Sequence, residues 1–396
     1  MRAADETRFP RDVRFAVNPE WNLLLAACSA TPPAARINRI SALIRSPIRW
    51  DALFQLADQH GVTGLLYQSF AEVQEAVPSG QMRRIRELYE VNLHKVLLTA
   101  GELLRILDCL DAKRIEVIPY KGVALAETLY GDFAARQSGD IDLLIRPQDL
   151  TRITEAVKGL GYTPHRQFSR QEERAYLTSG YERAFDGAAG INLLEVHWAL
   201  QPRFYAVEVD MEGLFRRAVP ISVAGREMRT LSPEDLALVL SLHAAKHLWA
   251  RLIWLCDIAR LAQSPSPDWK WIESEAQALG MARILRVTLL LAHGLLQAPL
   301  PAKIESAILD DRAAQEWTRR IGSQVADGGT SCVESWSYFR DMMKLRERPS
   351  DRMRFLWRLA LTPGPGEWQA IRLSESLFPL YRIVRLSRLA ARLVRR

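Results

Sequence analysis

Two neighbouring stretches of sequence decide the fold: PYKGVAL at residues 119–125 and SGDIDLLI at residues 138–145. In the second stretch, Asp140 and Asp142 alternate with apolar residues. Residues two apart on a β-strand project to the same face, so the two carboxylates lie side by side while the apolar residues face a core. In the first stretch, Gly122 opens a predicted helix, and backbone N–H groups at a helix N-terminus favour phosphate binding. The two stretches predict a strand with two acids beside a glycine-initiated helix.

The sequence around these stretches alternates short β-type runs with helical runs from residue 116 to residue 231. Residues 21–112 and 232–361 show the three- and four-residue apolar spacing of helices. In the middle block we predict strands at 116–119, 140–146 and 191–198, a hairpin of 219–223 and 228–231, and helices at 122–130 and 147–160. The pattern predicts an α+β fold: a small mixed β-sheet core flanked by N- and C-terminal helical regions.

The same changes of pattern divide the chain into four predicted segments. These are an N-terminal helical region (1–114), the α/β core (115–231), a C-terminal helical region (232–361), and a linker with a basic amphipathic helix (362–396). The linker is the run TPGPG, which is typical of a turn.

A third acid, Glu195, lies in the apolar run LLEVHW at residues 193–198 and completes a set of three if its strand lies beside the first. Carboxylates held together without a cation repel each other, so the set predicts a divalent metal, with Mg²⁺ (or Mn²⁺) the expected ion. Three acids, a helix-opening glycine and a nearby Lys or Arg are the parts needed for in-line transfer at a phosphate. The alternative is a chance pair of aspartates on a solvated strand edge.

These motifs resemble a bacterial nucleotidyltransferase family within the DNA polymerase beta superfamily. The resemblance covers roughly residues 20–300. It rests on Lys121-Gly122, Ala124-Leu125, Leu129-Tyr130, Arg136, Gly139-Asp140-Ile141-Asp142-Leu143-Leu144, Glu195-Val196-His197-Trp198, Trp50, Leu53, His60-Gly61-Val62, Leu65-Leu66-Tyr67, His243, Lys246-His247, Trp254 and Asp257.

The resemblance implies a nucleotidyltransferase-type core in which Asp140 and Asp142 hold a metal pair and Glu195 matches the third acid. It also implies an NTP substrate, with ATP expected, and assigns Gly139 to the nucleotide. The chain departs from the superfamily's broader pattern, in which a glycine is followed directly by Gly or Ser. Here Lys121 precedes Gly122 and Val123 follows it, so the phosphate cradle is not assumed to be identical.

Two cations are candidates for holding phosphate, Lys121 and Arg136. A guanidinium four residues before the first aspartate fits a fork onto the β- and γ-phosphates. The alternative for Arg136 is a salt bridge to Asp132 or Asp140 that only orients the loop.

Histidines supply the remaining candidates. His197 shares a strand face with Glu195, so we expect a hydrogen bond to that acid, a metal contact, a substrate contact or a supporting role. His243 and His247 lie four residues apart with Lys246 beside them, which favours a helix face that lines the cleft opposite the acids, or one that simply packs. A zinc site is not favoured, because the sequence has neither the glutamate of an HExxH motif nor an evident third ligand. Asp257 is expected to pair with one of these cations. Leu236, Leu238, Leu240, Leu242, Leu248, Trp249 and Trp254 are expected to be core.

Composition places limits on the function. The 396 residues are 48% hydrophobic and 25% charged, which excludes disorder as the dominant state. Six of the seven net positive charges are arginines after Phe378, so the nearly neutral body argues against extended nucleic-acid contact without excluding it. In the last helix, Leu380, Ile383, Val384, Leu386, Ala390, Leu393 and Val394 form one arc and the arginines the other. That helix suits an anionic membrane surface, nucleic acid or another partner, or packs on its own domain with a solvated arginine face.

The four cysteines, Cys28, Cys109, Cys256 and Cys332, are far apart, and the first fifteen residues lack the apolar core of a signal peptide. A soluble cytoplasmic protein with free thiols is expected, and the sequence leaves the oligomeric state open.

The sequence thus predicts Mg²⁺-dependent transfer of a nucleotidyl group from an NTP to an unidentified acceptor. The resembling family's association with lasso-peptide and polysaccharide gene clusters makes a peptide or sugar conceivable beside a small molecule. Two alternatives are nucleotidyl or phosphoryl transfer to a macromolecule, such as tRNA or a protein, as a toxin does, and a non-catalytic nucleotide-binding module.

Overall fold

The computed structural model of the chain describes residues 18–187, 192–326 and 335–394. The N-terminal segment, Cys332, Arg395 and Arg396 lie outside the described residues, so the expectations placed on them stay predictions. Cys28, Cys109 and Cys256 are free thiols. Among the described helices, none has the length and apolarity needed to cross a membrane.

Helices form the first part of the chain. They are α1 (Pro19–Ala27), α2 (Pro33–Ile44), α3 (Trp50–Gln59), α4 (Thr63–Ala71) and the 34-residue α5 (Ser79–Ala112).

The middle part carries a five-stranded mixed sheet, as the sequence predicts. Its elements in chain order are β1 (Ile118–Pro119), α6 (Gly122–Tyr130), β2 (Asp140–Leu144), α7 (Leu150–Gly159), β3 (Thr163–Pro164), α8 (Arg170–Ser179), β4 (Glu182–Asp186) and β5 (Leu193–His197). The strand order is β1-β2-β5-β4-β3. Strands β2 and β5 are parallel, and the other neighbours are antiparallel.

A second helical part follows the sheet. It comprises α9 (Met211–Arg217), the hairpin β6 (Val219–Val223) and β7 (Arg226–Thr230), α10 (Pro233–Lys246), α11 (Leu252–Gln263), α12 (Trp269–Ala278), α13 (Ala282–Leu296), α14 (Glu305–Asp310), α15 (Arg312–Ala326), α16 (Trp336–Lys344), α17 (Pro349–Leu361), α18 (Pro365–Ala370) and α19 (Tyr381–Val394). Ser232 caps the start of α10: its hydroxyl accepts a hydrogen bond from the backbone N–H of Asp235.

The sequence pattern does not predict β3, α8 and β4. Strand β4 reads ERAFD, with charged residues at three of its five positions, and only Phe185 is fully buried. Its apolar alternation is therefore too weak to predict a strand. The predicted helix 147–160 also begins later, because residues 147–149 form a 3₁₀ turn before α7.

One face of the sheet is apolar and the other is charged. Ile141 and Leu143 of β2, with Leu194 and Val196 of β5, pack in a core with α5 and α7. A larger core joins the N-terminal helices to α10, α11 and α13. The alternation of strand side chains therefore sends the acids of β2 and β5 to the opposite face.

Candidate active site

The three predicted acids come together because β2 and β5 are neighbours. The parallel register sets Asp142 directly opposite Glu195, and Leu144 opposite His197. Asp140 and Asp142 share one face of β2, and Glu195 and His197 share the same face of β5. Ligand atoms of Asp142, Glu195 and His197 all lie within 4.8 Å of one another. This position of the third acid's strand is the one the sequence analysis required.

Asp142 is the buried centre of this group. Its Oδ1 atom accepts a hydrogen bond from Lys121 Nζ at 3.0 Å and lies 3.1 Å from His197 Nε2. The same imidazole nitrogen is 3.4 Å from Glu195 Oε2. His197 therefore bridges the two acids, as one of its expected roles allowed.

The pKa values of the two aspartates move in opposite directions. Burial, followed by repulsion from Asp142 and Glu195, raises the pKa of Asp140 to about 6. Burial alone would also raise the pKa of Asp142, but Lys121 and His197 outweigh it and hold this pKa well below its usual value. The group thus contains more negative charge than Lys121 neutralises, which is the condition that favours a bound cation.

The start of α6 forms the floor beside the acids. Gly122 has φ of +57°, and a Cβ atom there would lie 3.0 Å from Ser138 Oγ and 3.1 Å from the Asp140 carbonyl oxygen. Glycine is therefore required at this position for two reasons: the positive φ, and the close approach of Ser138 and the Asp140 carbonyl oxygen. Gly139, by contrast, has open space where a side chain would point.

Arg136 lines the cleft, but its partner differs from both expected ones. Its Nε donates to the two carboxylate oxygens of Asp257 at 3.1 Å, and Tyr130 Oη donates to the same carboxylate at 2.8 Å. All of this network is buried or nearly so, and Asp257 itself is fully buried. The expectation that Asp257 pairs with His243, Lys246 or His247 is therefore wrong, and a salt bridge of Arg136 to Asp132 or Asp140 is not formed.

His243, Lys246 and His247 line the cleft on the side of α10, in agreement with the sequence analysis. Burial lowers the pKa of both imidazoles, that of His247 to about 4, so both rings are neutral at pH 7. Trp254 closes this wall, with its ring centroid 5.1 Å from that of His243 and 5.4 Å from that of His247. Trp254 is partly buried: it packs against the larger core, as expected, and also lines the cleft.

Among the cleft residues that the sequence pattern does not predict are Tyr181 and Glu182. Register places Glu182 opposite His197, with a carboxylate oxygen 3.5 Å from His197 Nδ1. Tyr181 Oη donates to Glu182 at 2.6 Å and accepts from Lys246 Nζ at 2.6 Å. The signal in the sequence was an acid at the start of ERAFD, which is informative only once this run is known to be a strand.

The cleft has a volume of about 450 Å³. This falls in the range of small-molecule sites. One wall is anionic, formed by Asp140, Asp142, Glu195 and Glu182, and the other is formed by neutral rings and Lys246. The ligand atoms that lie close enough together to hold one ion belong to Asp142, Glu195 and His197, with Asp140 on the same strand face, and their carboxylate oxygens suit a divalent ion such as Mg²⁺ or Mn²⁺. The residues therefore fit the metal that the sequence analysis predicted.

A glycine-initiated helix, a two-aspartate strand and a parallel neighbour with a third acid define a site of the nucleotidyltransferase type. The chain matches the model of the family described as uncharacterised nucleotidyltransferase over residues 46–297, which is more than half its length. It belongs to this family.

Among solved structures, the chain is similar to an antigenic nucleotidyltransferase-like protein from Paracoccidioides brasiliensis. The two are 16% identical, with a TM-score of 0.30, and the match covers 52% of this chain and 93% of the other. No curated protein matches the chain.

Proposed function

We propose that the protein transfers a nucleotidyl group from an NTP, with ATP the first choice, to an acceptor hydroxyl or phosphate. The observation that carries the proposal is the register of β2 and β5, which brings Asp140, Asp142 and Glu195 together on one wall of the cleft. In the reaction, an acceptor oxygen forms a bond to the α-phosphorus, the bond from that phosphorus to the bridging oxygen breaks, and pyrophosphate leaves.

The acids have distinct parts in this proposal. Asp140 and Asp142 hold the divalent ion, and Glu195 either completes its oxygen ligands or accepts the proton of the incoming hydroxyl. When bound, the ion neutralises phosphate charge and polarises the phosphorus–oxygen bond. His197, between Asp142 and Glu195, fixes the orientation of both carboxylates.

The cations and the glycine helix hold the triphosphate. Arg136 and Lys121 both line the cleft, and Asp257 fixes the guanidinium of Arg136. The N-terminus of α6 at Gly122 supplies backbone N–H groups beside them. We place the nucleobase or a planar acceptor against His243, His247 and Trp254, because neutral rings stack without the cost of burying charge.

The test is NTP consumption with Mg²⁺ by purified protein and by the variant Asp140→Asn/Asp142→Asn. We expect turnover to fall by at least about a hundredfold, since ligands are lost from the metal, and Mg²⁺-dependent stabilisation by ATP in a thermal melt to disappear. Asp186→Asn is the matched control: this acid lies on β4, separated from Asp140 by β5, and does not line the cleft, so its variant retains full turnover. Unchanged ATP consumption and Mg²⁺ binding in the double variant contradict the assignment.

The acceptor is found by mass spectrometry of a lysate incubated with labelled ATP, with the double variant as background. Label on a small molecule, sugar or peptide supports the proposed class, and label on tRNA or protein supports the macromolecular alternative. A non-catalytic module predicts binding of nucleotide without any labelled product. We also propose that the protein works in a reducing cytoplasm, as its separated cysteines suggest.

A further inference from the structure

Two arginines of the last helix, Arg385 and Arg388, contact the protein, whereas Arg382 is exposed. Arg385 donates to the Leu359 carbonyl oxygen at 3.0 Å and lies 3.4 Å from Glu367, and Arg388 hydrogen-bonds the Gly366 carbonyl oxygen. Part of the apolar arc of α19 is exposed, with Ile383 at 62% and Leu386 at 45%, whereas Leu389 packs against the core. The helix therefore packs on its own domain, but its arginine face is only partly solvated and some of its apolar residues are left uncovered.

Helix α17, which packs beside α19, adds more exposed apolar surface. Met353 is 65% exposed and Trp357 is 69% exposed. Of the fourteen large apolar side chains exposed among the described residues, eight lie between residues 351 and 394, so the exposure is concentrated in one part of the molecule. The eight are Met353, Leu356, Trp357, Ile371, Leu377, Leu380, Ile383 and Leu386.

The charge of the chain is concentrated in the same segment. Residues 351–396 contain ten arginines and three acids, a net charge of +7, so the first 350 residues are neutral. Two of the three acids, Asp351 and Glu367, are buried in ion pairs. Only Glu375 is left as an exposed acid, and the surface is therefore both apolar and cationic.

An open groove of about 900 Å³ runs along this surface between α8, α17 and the residues before α19. Trp357, Leu361 and Phe378 contribute apolar lining, and no acid lines it. Four arginines border it: Arg203, Arg354, Arg358, which pairs with Glu208, and Arg382.

We propose that the surface formed by α17, α19 and the segment between them, defined by the eight exposed apolar residues and the arginines around them and called the α17/α19 surface, binds an anionic lipid bilayer. Exposed Trp, Leu and Ile side chains insert at the boundary between headgroups and acyl chains, and arginines contact lipid phosphates. A second copy of the same surface would bring two cationic segments together, which like-charge repulsion opposes. Nucleic acid is bound mainly through phosphate charge and base stacking on aromatic rings, and only one of the eight exposed apolar side chains, Trp357, is aromatic.

The test is flotation of the full chain with vesicles of phosphatidylglycerol and phosphatidylcholine, compared with vesicles of phosphatidylcholine alone. We expect binding only to the anionic vesicles, reduced at high salt because exposed charges are screened. The variant Trp357→Ser/Ile383→Ser is expected to bind about tenfold or more weakly, because two inserted apolar side chains are lost. Arg354→Glu/Arg382→Glu is expected to lose binding to the anionic vesicles.

The matched control is Val91→Ser/Leu98→Ser, which removes equally exposed apolar residues from α5. It is expected to float like the unchanged chain. All variants alter exposed side chains, and circular dichroism verifies that each is folded. The proposal is overturned if the chain does not float, if both double serine variants float equally well, or if Trp357→Ser/Ile383→Ser instead dissociates a dimer or abolishes a tRNA gel shift without changing flotation.

Discussion

The cleft and the α17/α19 surface handle charge in opposite ways. In the cleft, Asp142 and Arg136 are buried charges held by partners, Asp142 by Lys121 and Arg136 by Asp257. On the α17/α19 surface, the acids are buried and the apolar side chains are exposed. A buried charge is costly without its partner, whereas an exposed apolar side chain costs the fold little. Single substitutions of the buried charges in the cleft should therefore lower the free energy of unfolding. Single substitutions on the α17/α19 surface should change only binding.

The largest effect is expected from Asp257→Asn, which leaves the guanidinium of Arg136 buried without a counter-charge. Removing one partner of a buried pair costs about 3–5 kcal/mol. Urea unfolding measures the loss. Asp51→Asn, which breaks the exposed pair with Arg84, is the control and should cost about 0–1 kcal/mol. Equal losses of unfolding free energy in the two variants would contradict the difference between buried and exposed ion pairs.

The second effect is a loss of stability in acid that depends on His60. This buried imidazole accepts a hydrogen bond from the Leu252 N–H, and burial lowers its pKa to about 4. The unfolded chain binds a proton at the ordinary pKa near 6.5, so stability is full above that pH and falls as the pH drops toward 4. The fall amounts to about 3 kcal/mol.

Unfolding free energies measured at pH 7 and pH 4.5 check this expectation. His60→Gln should flatten the pH dependence between these values, whereas His94→Gln, at an exposed position on α5, should leave it unchanged. An unaltered slope in His60→Gln would assign the acid sensitivity to other groups.

A third, smaller effect is expected at Gly64, where α4 meets the loop that carries Arg136. A Cβ atom there would lie 2.1 Å from the Ala134 carbonyl oxygen. Gly64→Ala should destabilise the fold by about 1–3 kcal/mol. Gly101→Ala is the matched control in α5: its Cβ meets open space, and stability should rise by up to about 1 kcal/mol. Two changes of the same sign in thermal melts would contradict this packing.

The smallest effect is expected on the α17/α19 surface. Trp357→Ser removes a large side chain that is 69% exposed, and the unfolding free energy should change by less than about 0.5 kcal/mol. Denaturant unfolding of the single variant measures it. A loss of several kcal/mol would mean that the indole supports the fold, and would weaken its assignment to a binding surface.

The sequence predicted the parts of the fold in which local pattern and structure agree. Helix α6, strands β2 and β5 and the hairpin lie where expected within a few residues, because each carries a clear apolar period or a glycine start. The alternating pattern of both strands predicts that the three acids lie on one type of strand face. The parallel register of β2 and β5, which the sequence does not contain, brings these faces side by side.

The rest depends on contacts between distant residues, which local pattern does not contain. Asp257 pairs with Arg136 across 121 positions of sequence, and only the packing of α11 against α6 sets that pair. Trp254 packs against the core as its apolar periodicity predicts, but that periodicity does not reveal that the ring also lines the cleft. Likewise, the arc of arginines on α19 says nothing about which side meets the protein; Glu367 decides it. The four-segment division of the chain stays a prediction.

The two walls of the cleft are far apart along the chain, and this affects folding during protein synthesis. Contacts of high sequence separation form late in folding, since the intervening chain must first be ordered. When the ribosome has produced the sheet, the acids of β2 and β5 have their neighbours, but Arg136 lacks Asp257 and His60 lacks the Leu252 backbone, 192 residues on. A nascent chain that stops before α11 therefore has an anionic strand pair without a closed cleft. The site completes only after the C-terminal helices emerge and pack.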